Sequence, residues 1–228
     1  AVDAAEKMAR VTVDEVVVNA SCGRLLSDAF EIGIDGPGQQ VRAEDLDRLL
    51  KTARGRHRAD QRLTLHSFPM GYVLDGNVGI KDPCGMYGDR LSVGMHVVTA
   101  EPGPLRNLAI GLDRCHLAVD RVAISPLASA IATLTADEAE LGVLCIDMGA
   151  GCTTLSVFME GMFVHADAIA LGGGHVTLDL ARGLSMPMEH AERAKTLYAS
   201  ALQSPSDERE MVEIDTVGAE LPDEERIS

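Results

Sequence analysis

The stretch Leu141-Gly-Val-Leu-Cys-Ile-Asp147-Met-Gly149-Ala-Gly151-Cys-Thr153-Thr154-Leu-Ser-Val-Phe158 decides how this chain is read. A short apolar run suited to a buried strand ends in Asp147, a glycine turn follows, and a second strand leaves. Gly149 and Gly151 let the backbone bend tightly and bring N–H groups against an anion with no Cβ in the way. Asp147, at the strand's end beside that turn, is placed to hold a hydrated metal ion bridging phosphates. Cys152, Thr153 and Thr154 add side-chain hydrogen-bonding capacity. The competing reading is an ordinary β-hairpin with an Asp-Gly-type turn, and DxGxG alone is too short to choose.

A second glycine cluster favours the anion site. Ala168-Ile-Ala-Leu171-Gly172-Gly173-Gly174-His175 runs from a strand into a helix expected over Val176 to Leu184. Glycines at a helix N-terminus are expected to present free N–H groups and the positive end of the dipole to a phosphate. Close backbone approach is expected at Gly173, so a valine there should weaken nucleotide binding. The loop lacks the GKS/T ending of a Walker A motif and the GxGxxG of a Rossmann turn, so another nucleotide fold is indicated. Glu192 and Lys195 share one face of the next helix, three apart. By themselves they read as a surface ion pair.

Outward from these motifs, strands and helices alternate. Glu15 to Asn19 and Phe30 to Ile34 read as strands, and Gly36-Pro37-Gly38 breaks the chain. Ala43 to His57 is an amphipathic helix with Leu46, Leu49, Leu50 and Ala53 on one face. Its other face carries Arg48, Lys51, Arg54, Arg56 and Arg58, either a solvated surface or a patch steering an acidic partner. Leu63 to Leu74 and Arg90 to Ala100 read as strands, Pro104 to Leu117 as a helix, and Val119 to Ile124 as a strand of the opening style. Residues 35–118 thus form an α+β module inserted in an α/β domain. Removing it is expected to leave the strands of 11–19 and 119–158 in one sheet. The small-residue helix Ser125-Pro126-Leu-Ala128-Ser129-Ala130-Ile-Ala132 suits either a hinge between subdomains or an ordinary core.

Composition narrows the classes. With 228 residues and 46% hydrophobic content, the chain is globular in type. Its 20 Lys and Arg against 35 Asp and Glu argue against a general nucleic-acid binder, which needs a basic face. Nine acids and two bases in 205–228 give a net of −7, read as a solvated linker. Five dispersed cysteines without a CxxC pair suggest neither a disulfide framework nor a zinc site. The uncapped opening helix and this acidic segment are both read as truncations of something longer.

The order of motifs is similar to the actin, sugar-kinase and heat-shock-chaperone superfamily, and within it the chain resembles the bacterial cell-division FtsA family. Ile80-Lys-Asp-Pro-Cys-Gly-Met-Tyr-Gly-Asp-Arg-Leu with His96-Val-Val-Thr-Ala looks like that family's inserted subdomain. Ser125-Pro-Leu-Ala-Ser-Ala and Leu134-Thr-Ala-Asp-Glu-Ala-Glu-Leu-Gly-Val look like the lead into its second phosphate motif. The resemblance covers residues 1 to 202.

It implies an α/β, actin-like (ribonuclease H-like) fold with an inserted strand-helix-strand-strand subdomain. Residues 1–34 would start the first lobe, 35–118 the insert, and 119–140 the return with a connecting helix. Residues 141–187 would be the second lobe, and 188–228 the start of the following subdomain. The resemblance assigns Asp147, Gly149, Gly151 and Thr153 to the phosphate motif, with Asp147 reaching Mg2+ through water. Gly172, Gly173 and Gly174 would line the same ATP, with Glu192 and Lys195 near its ribose. It further implies a division protein that self-assembles and links FtsZ filaments to the cytoplasmic face of the inner membrane at the septum. Other division proteins would meet the insert, and the membrane would be met by a C-terminal helix outside this sequence. Cys152 stands where the family's DxGxGTTD pattern commonly has Thr, and Thr154 where it has Asp. These departures bear on hydrolysis, so nucleotide is read as a conformational ligand. The alternatives are a PilM-like pilus assembly ATP-binding protein and a sugar-kinase-type phosphotransferase.

Overall fold

The computed structural model describes residues 2–35, 38, 40–56, 61–202, 204, 205 and 209. In chain order the first elements are α1 (Val2–Ala9), β1 (Glu15–Ala20), β2 (Leu26–Asp35), α2 (Ala43–Arg56), β3 (Leu63–Leu74), β4 (Asn77–Ile80) and β5 (Arg90–Ala100). There follow α3 (Pro102–Asp113), β6 (Ala118–Ile124), α4 (Ser125–Thr133) and α5 (Ala136–Leu141). The last are β7 (Val143–Met148), β8 (Thr153–Met159), β9 (Met162–Ile169), α6 (Gly173–Gly183) and α7 (Met188–Tyr198). Residues up to 147, with 154–169, make one compact unit, and 148–153 with the described residues from 170 onward make another.

In the first unit β1 and β6 run parallel, side by side. Parallel neighbours cannot be joined by a tight turn and need a crossover, usually a helix. Helix α3 serves as that helix: it packs on β6 and places Leu105 among Ala20, Leu25, Val98, Ala100 and Ile124. The segment from Leu26 to Ala100 is therefore an interruption of one β–α–β unit, and it forms its own sheet in the order β2-β5-β3-β4.

That sheet is antiparallel, and β5 at its centre is buried on both faces. Leu91, Val93 and Met95 meet Leu49 and Ala53 of α2, with Ile32, Val41 and Leu74 closing the cluster. The apolar spacing of α2 produces this stripe, since residues three and four apart lie on one helical face. Its basic side is exposed at Lys51 and Arg54, and Arg48 pairs with Asp45 at 3.3 Å. Arg58 lies outside the described residues.

The boundary at residue 35 is corrected by these pairings. Strand β2, assigned above to the first lobe, is paired with β5 from Leu26↔Thr99 to Asp35↔Arg90. Its apolar run says that one side is covered, not by which sheet. The break at 36–38, of which Gly36 and Pro37 lie outside the described residues, falls inside the module. Helix α3 belongs to the interrupted unit, so the insert spans 26–100. The expected single sheet is also not found: β1 and β6 form a two-stranded sheet, and β7-β8-β9 a three-stranded one.

The insert touches the outer side of β9 through side chains. Ser27 Oγ accepts the Ala166 N–H at 2.8 Å and donates to the Ala166 carbonyl at 2.7 Å, with His96 Nε2 2.9 Å away. His96 Nδ1 donates to the Phe163 carbonyl at 3.0 Å. Burial pushes the His96 pKa below the usual imidazole range, opposed by that carbonyl hydrogen bond, so the ring is held neutral. The second unit is simpler, with α6 and α7 packed around Ala181, Met186 and Ala191.

Leu49 is fully buried while Lys51 on the same helix is exposed. Leu49→Ala is expected to lower stability by about 2–5 kcal/mol in chemical denaturation, because it leaves a cavity between α2 and β5. Lys51→Ala should change it by less than about 0.5 kcal/mol.

Candidate functional site

Asp147 is the penultimate residue of β7 and is exposed. Ser129 of α4 donates to its Oδ2 at 2.6 Å, and Oδ1 accepts nothing from the described residues. Among the described residues no group of three or more His, Cys, Asp and Glu is arranged to hold a metal. One half-free carboxylate suits magnesium, which keeps several waters and uses one or two carboxylates plus phosphate oxygens. It does not suit zinc or calcium, which need fuller protein cages.

In the second unit the Gly149 N–H donates to the Cys152 carbonyl at 2.9 Å and closes the turn. Ala150 and Gly151 are exposed residues, and their N–H groups donate to no acceptor among the described residues. Two adjacent unpaired amides on a short turn are the elements of an anion-binding nest. Thr153 Oγ1 donates to the Leu171 carbonyl at 2.8 Å, and Thr154 is buried with its hydroxyl unpartnered among the described residues.

The second glycine cluster departs from expectation. The Gly173 N–H donates to the Gly149 carbonyl at 3.0 Å and the Gly174 N–H to the Ala150 carbonyl at 2.8 Å. The Gly172 N–H donates to His175 Nδ1 at 3.1 Å, and the His175 N–H to the Gly172 carbonyl. These amides are therefore not free: the start of α6 holds the carbonyl side of the 149–150 turn, and the amides without an acceptor among the described residues are those of Ala150 and Gly151.

Nor do the glycines serve left-handed backbone, since none of Gly149, Gly151, Gly172, Gly173 and Gly174 has a positive φ. Close approach is the cause at Gly172 and, less sharply, at Gly174 and Gly149, while Gly151 faces open space. A Cβ on Gly172 would stand 2.3 Å from the Gly149 oxygen and 2.7 Å from that of Ala150. On Gly173 it would meet nothing nearer than Lys195 Nζ at 3.6 Å. Gly172, not Gly173, is the position without room.

Lys195 Nζ donates to Glu192 Oε2 at 2.7 Å, to Thr177 Oγ1 at 2.9 Å and to the Gly173 carbonyl at 3.2 Å. Thr177 also hydrogen-bonds Glu192 and is buried on α6. The pair is thus tied to the first turn of α6 rather than standing alone on a surface. The hydrogen bonds from Lys195 and then Thr177 hold the Glu192 carboxyl below its usual range. The sequence reading missed Ser129, Thr177 and His175 as partners. His175 was legible, as a polar side chain three residues past a helix start; the other two contacts are set by tertiary packing.

A family model described as Cell division protein FtsA matches residues 144–226, and one described as SHS2 domain inserted in FTSA matches residues 23–99. The chain is 52% identical over 223 residues to cell division protein FtsA of Agrobacterium fabrum, covering 98% of this chain and 50% of that protein. To the Escherichia coli K12 protein it is 34% identical over 223 residues, 97% of this chain and 53% of that one. The chain belongs to the FtsA family. It spans about half the length of the curated FtsA relatives it matches. A PilM-PilN type IV pilus biogenesis complex shares the fold at a TM-score of 0.57 and 18% identity, over 85% of this chain and 53% of that one. The α/β, actin-like class with an inserted α+β subdomain stands. The SHS2 match at 23–99 agrees with an FtsA insert spanning 26–100 rather than 35–118.

Gly172→Ala is expected to cost about 1–3 kcal/mol by forcing two backbone turns apart, with Gly173→Ala within about 0.5 kcal/mol of the parent; thermal unfolding of both variants checks this. For Glu192 the sign follows from its lowered pKa. The contribution of its Lys195 and Thr177 contacts is complete above the ordinary carboxylate range and fades as pH falls through the folded value. Carbon-13 NMR of its carboxyl should give a midpoint below that of a free glutamate, moving upward in Lys195→Ala.

Proposed function

We propose that the full protein carrying this chain is a cell-division protein that binds ATP with Mg2+ and self-assembles. In this reading it links FtsZ filaments to the cytoplasmic face of the inner membrane at the division septum. The observation that supports it best is the strand with Asp147 near its end followed by a turn whose Ala150 and Gly151 amides have no acceptor among the described residues, in a chain of the FtsA family. Asp147 holds the hydrated magnesium, and the ion offsets phosphate charge that an acidic protein would otherwise repel. Gly149, Gly151 and Thr153 shape the phosphate turn, and Gly172, Gly173 and Gly174 support it from behind. Glu192 and Lys195 act at the ribose, where Glu192 keeps Oε1 as an acceptor while the three Lys195 donors hold Glu192, Thr177 and the Gly173 carbonyl.

Nucleotide works here as a conformational ligand. Thr154 is a buried hydroxyl where a second carboxylate would be needed to orient an attacking water, so turnover is slow or absent. FtsZ, further copies of the protein and other division proteins are its partners, the last through the insert at 26–100. The pilus-assembly reading has weaker support, since likeness to the PilM complex is 18% identity against 52% and 34% for the division proteins.

In the full-length protein, Asp147→Ala is expected to weaken magnesium-ATP binding by about 10- to 100-fold, as loss of an outer-sphere metal partner does. Calorimetry measures this directly, and equal affinity in both proteins would refute the assignment. Cells depleted of the parent protein and supplied with the variant should fail to complete septa.

A further inference from the structure

Helix α4 begins where β6 ends, and its two ends are tied to different elements. At its start, Ser125 Oγ accepts from Asn19 Nδ2 at the end of β1, at 3.2 Å. One turn on, Ser129 Oγ donates to Asp147 Oδ2 at 2.6 Å. A further turn on, Thr133 Oγ1 lies 3.8 Å from Cys145 Sγ. The Thr133 hydroxyl gives its proton to the Ser129 carbonyl at 2.8 Å, which leaves the Cys145 thiol as donor. Four helical residues rise about 6 Å and two strand residues about 6.6 Å. Ser129 and Thr133 on the helix therefore match Asp147 and Cys145 on the strand, in antiparallel order.

We propose that Ser129 is a positioning residue for the phosphate-site carboxylate. Its hydroxyl fixes Asp147 through Oδ2 and leaves Oδ1 as the oxygen that meets the waters of magnesium. This rests on the nucleotide reading above. The 2.6 Å contact is a charge-assisted hydrogen bond of the short, strong kind. A carboxylate on the last turn of an exposed strand end would otherwise rotate freely, and fixing it removes the entropy of ordering it when the ion arrives. Because α4 is also tied to Asn19 at its start, withdrawal of charge from Asp147 by a metal loosens the hold on the middle of this helix. The carboxylate is thereby linked to the β1–β6 sheet.

The test uses the full-length protein and ATP, with affinity measured by calorimetry over a series of magnesium concentrations and in EDTA. Ser129→Ala is expected to raise the magnesium concentration for the half-maximal gain in affinity by about tenfold, in line with lost outer-shell partners. Affinity in EDTA should be unchanged. Ser129→Thr, which keeps the hydroxyl, should stay with the parent. Hydrogen exchange of the α4 amides in Ser129→Ala without nucleotide should be faster than in the parent. A Ser129→Ala protein with the parent's magnesium dependence overturns this inference and leaves the nucleotide reading intact. Equal loss in EDTA, or a Ser129→Thr protein as impaired as Ser129→Ala, overturns it as a fold defect. A parent protein that binds no ATP with or without magnesium overturns the nucleotide reading and this inference with it.

Discussion

Parallel pairing of β1 with β6 is the constraint from which the rest of the first unit follows. Neighbouring parallel strands need a long crossover, and this chain places a whole four-stranded sheet within that connection before α3 completes it. The crossover can hold so much because loop-closure entropy grows only slowly with length once the ends are fixed. Both ends of the insert lie beside this pair: Leu25 and Ala100 share a cluster with Ala20 and Ile124. An insertion rooted in the same core as its host gains a defined attachment rather than a tether.

Much of this was legible. The strands Leu63–Leu74 and Arg90–Ala100 have the limits their apolar patterns suggest, because turn residues bound them on both sides. Helix α2 follows from four apolar side chains at helical spacing. Two elements were legible and passed over: Thr135-x-x-Glu138 is a capping box that announces α5, and Asp75-Gly76 is a turn that announces the β3–β4 hairpin. The partner of β2 was not legible. A strand's own residues say how far it is buried, but which neighbour it pairs with is decided across 55 to 73 residues of chain.

The same limit applies to the glycine clusters. Glycine content marks the places where backbones come close, and both clusters are such places. It does not say whether an amide there faces a ligand or another carbonyl. Gly173 and Gly174 face carbonyls, which turns the expected phosphate cradle into a buttress for the 149–150 turn. Asp147 was legible as a candidate because a carboxylate at the end of an apolar strand has little structural reason to be there. Ser129 was not, since one serine among small helical residues has no pattern of its own.

One contact of the insert bears on how the molecule behaves among its own copies. Strand β9 is the last of its sheet, and an open last strand is a template for any other chain with unpaired backbone. At Ala166 both backbone groups that an incoming strand would require are already committed to the single hydroxyl of Ser27, and the Phe163 carbonyl is committed to His96. A side chain thus stops the ladder without adding a rung to it. Edge-to-edge stacking along β9 is interrupted at its middle, so a strand of another copy could not pair with its whole length.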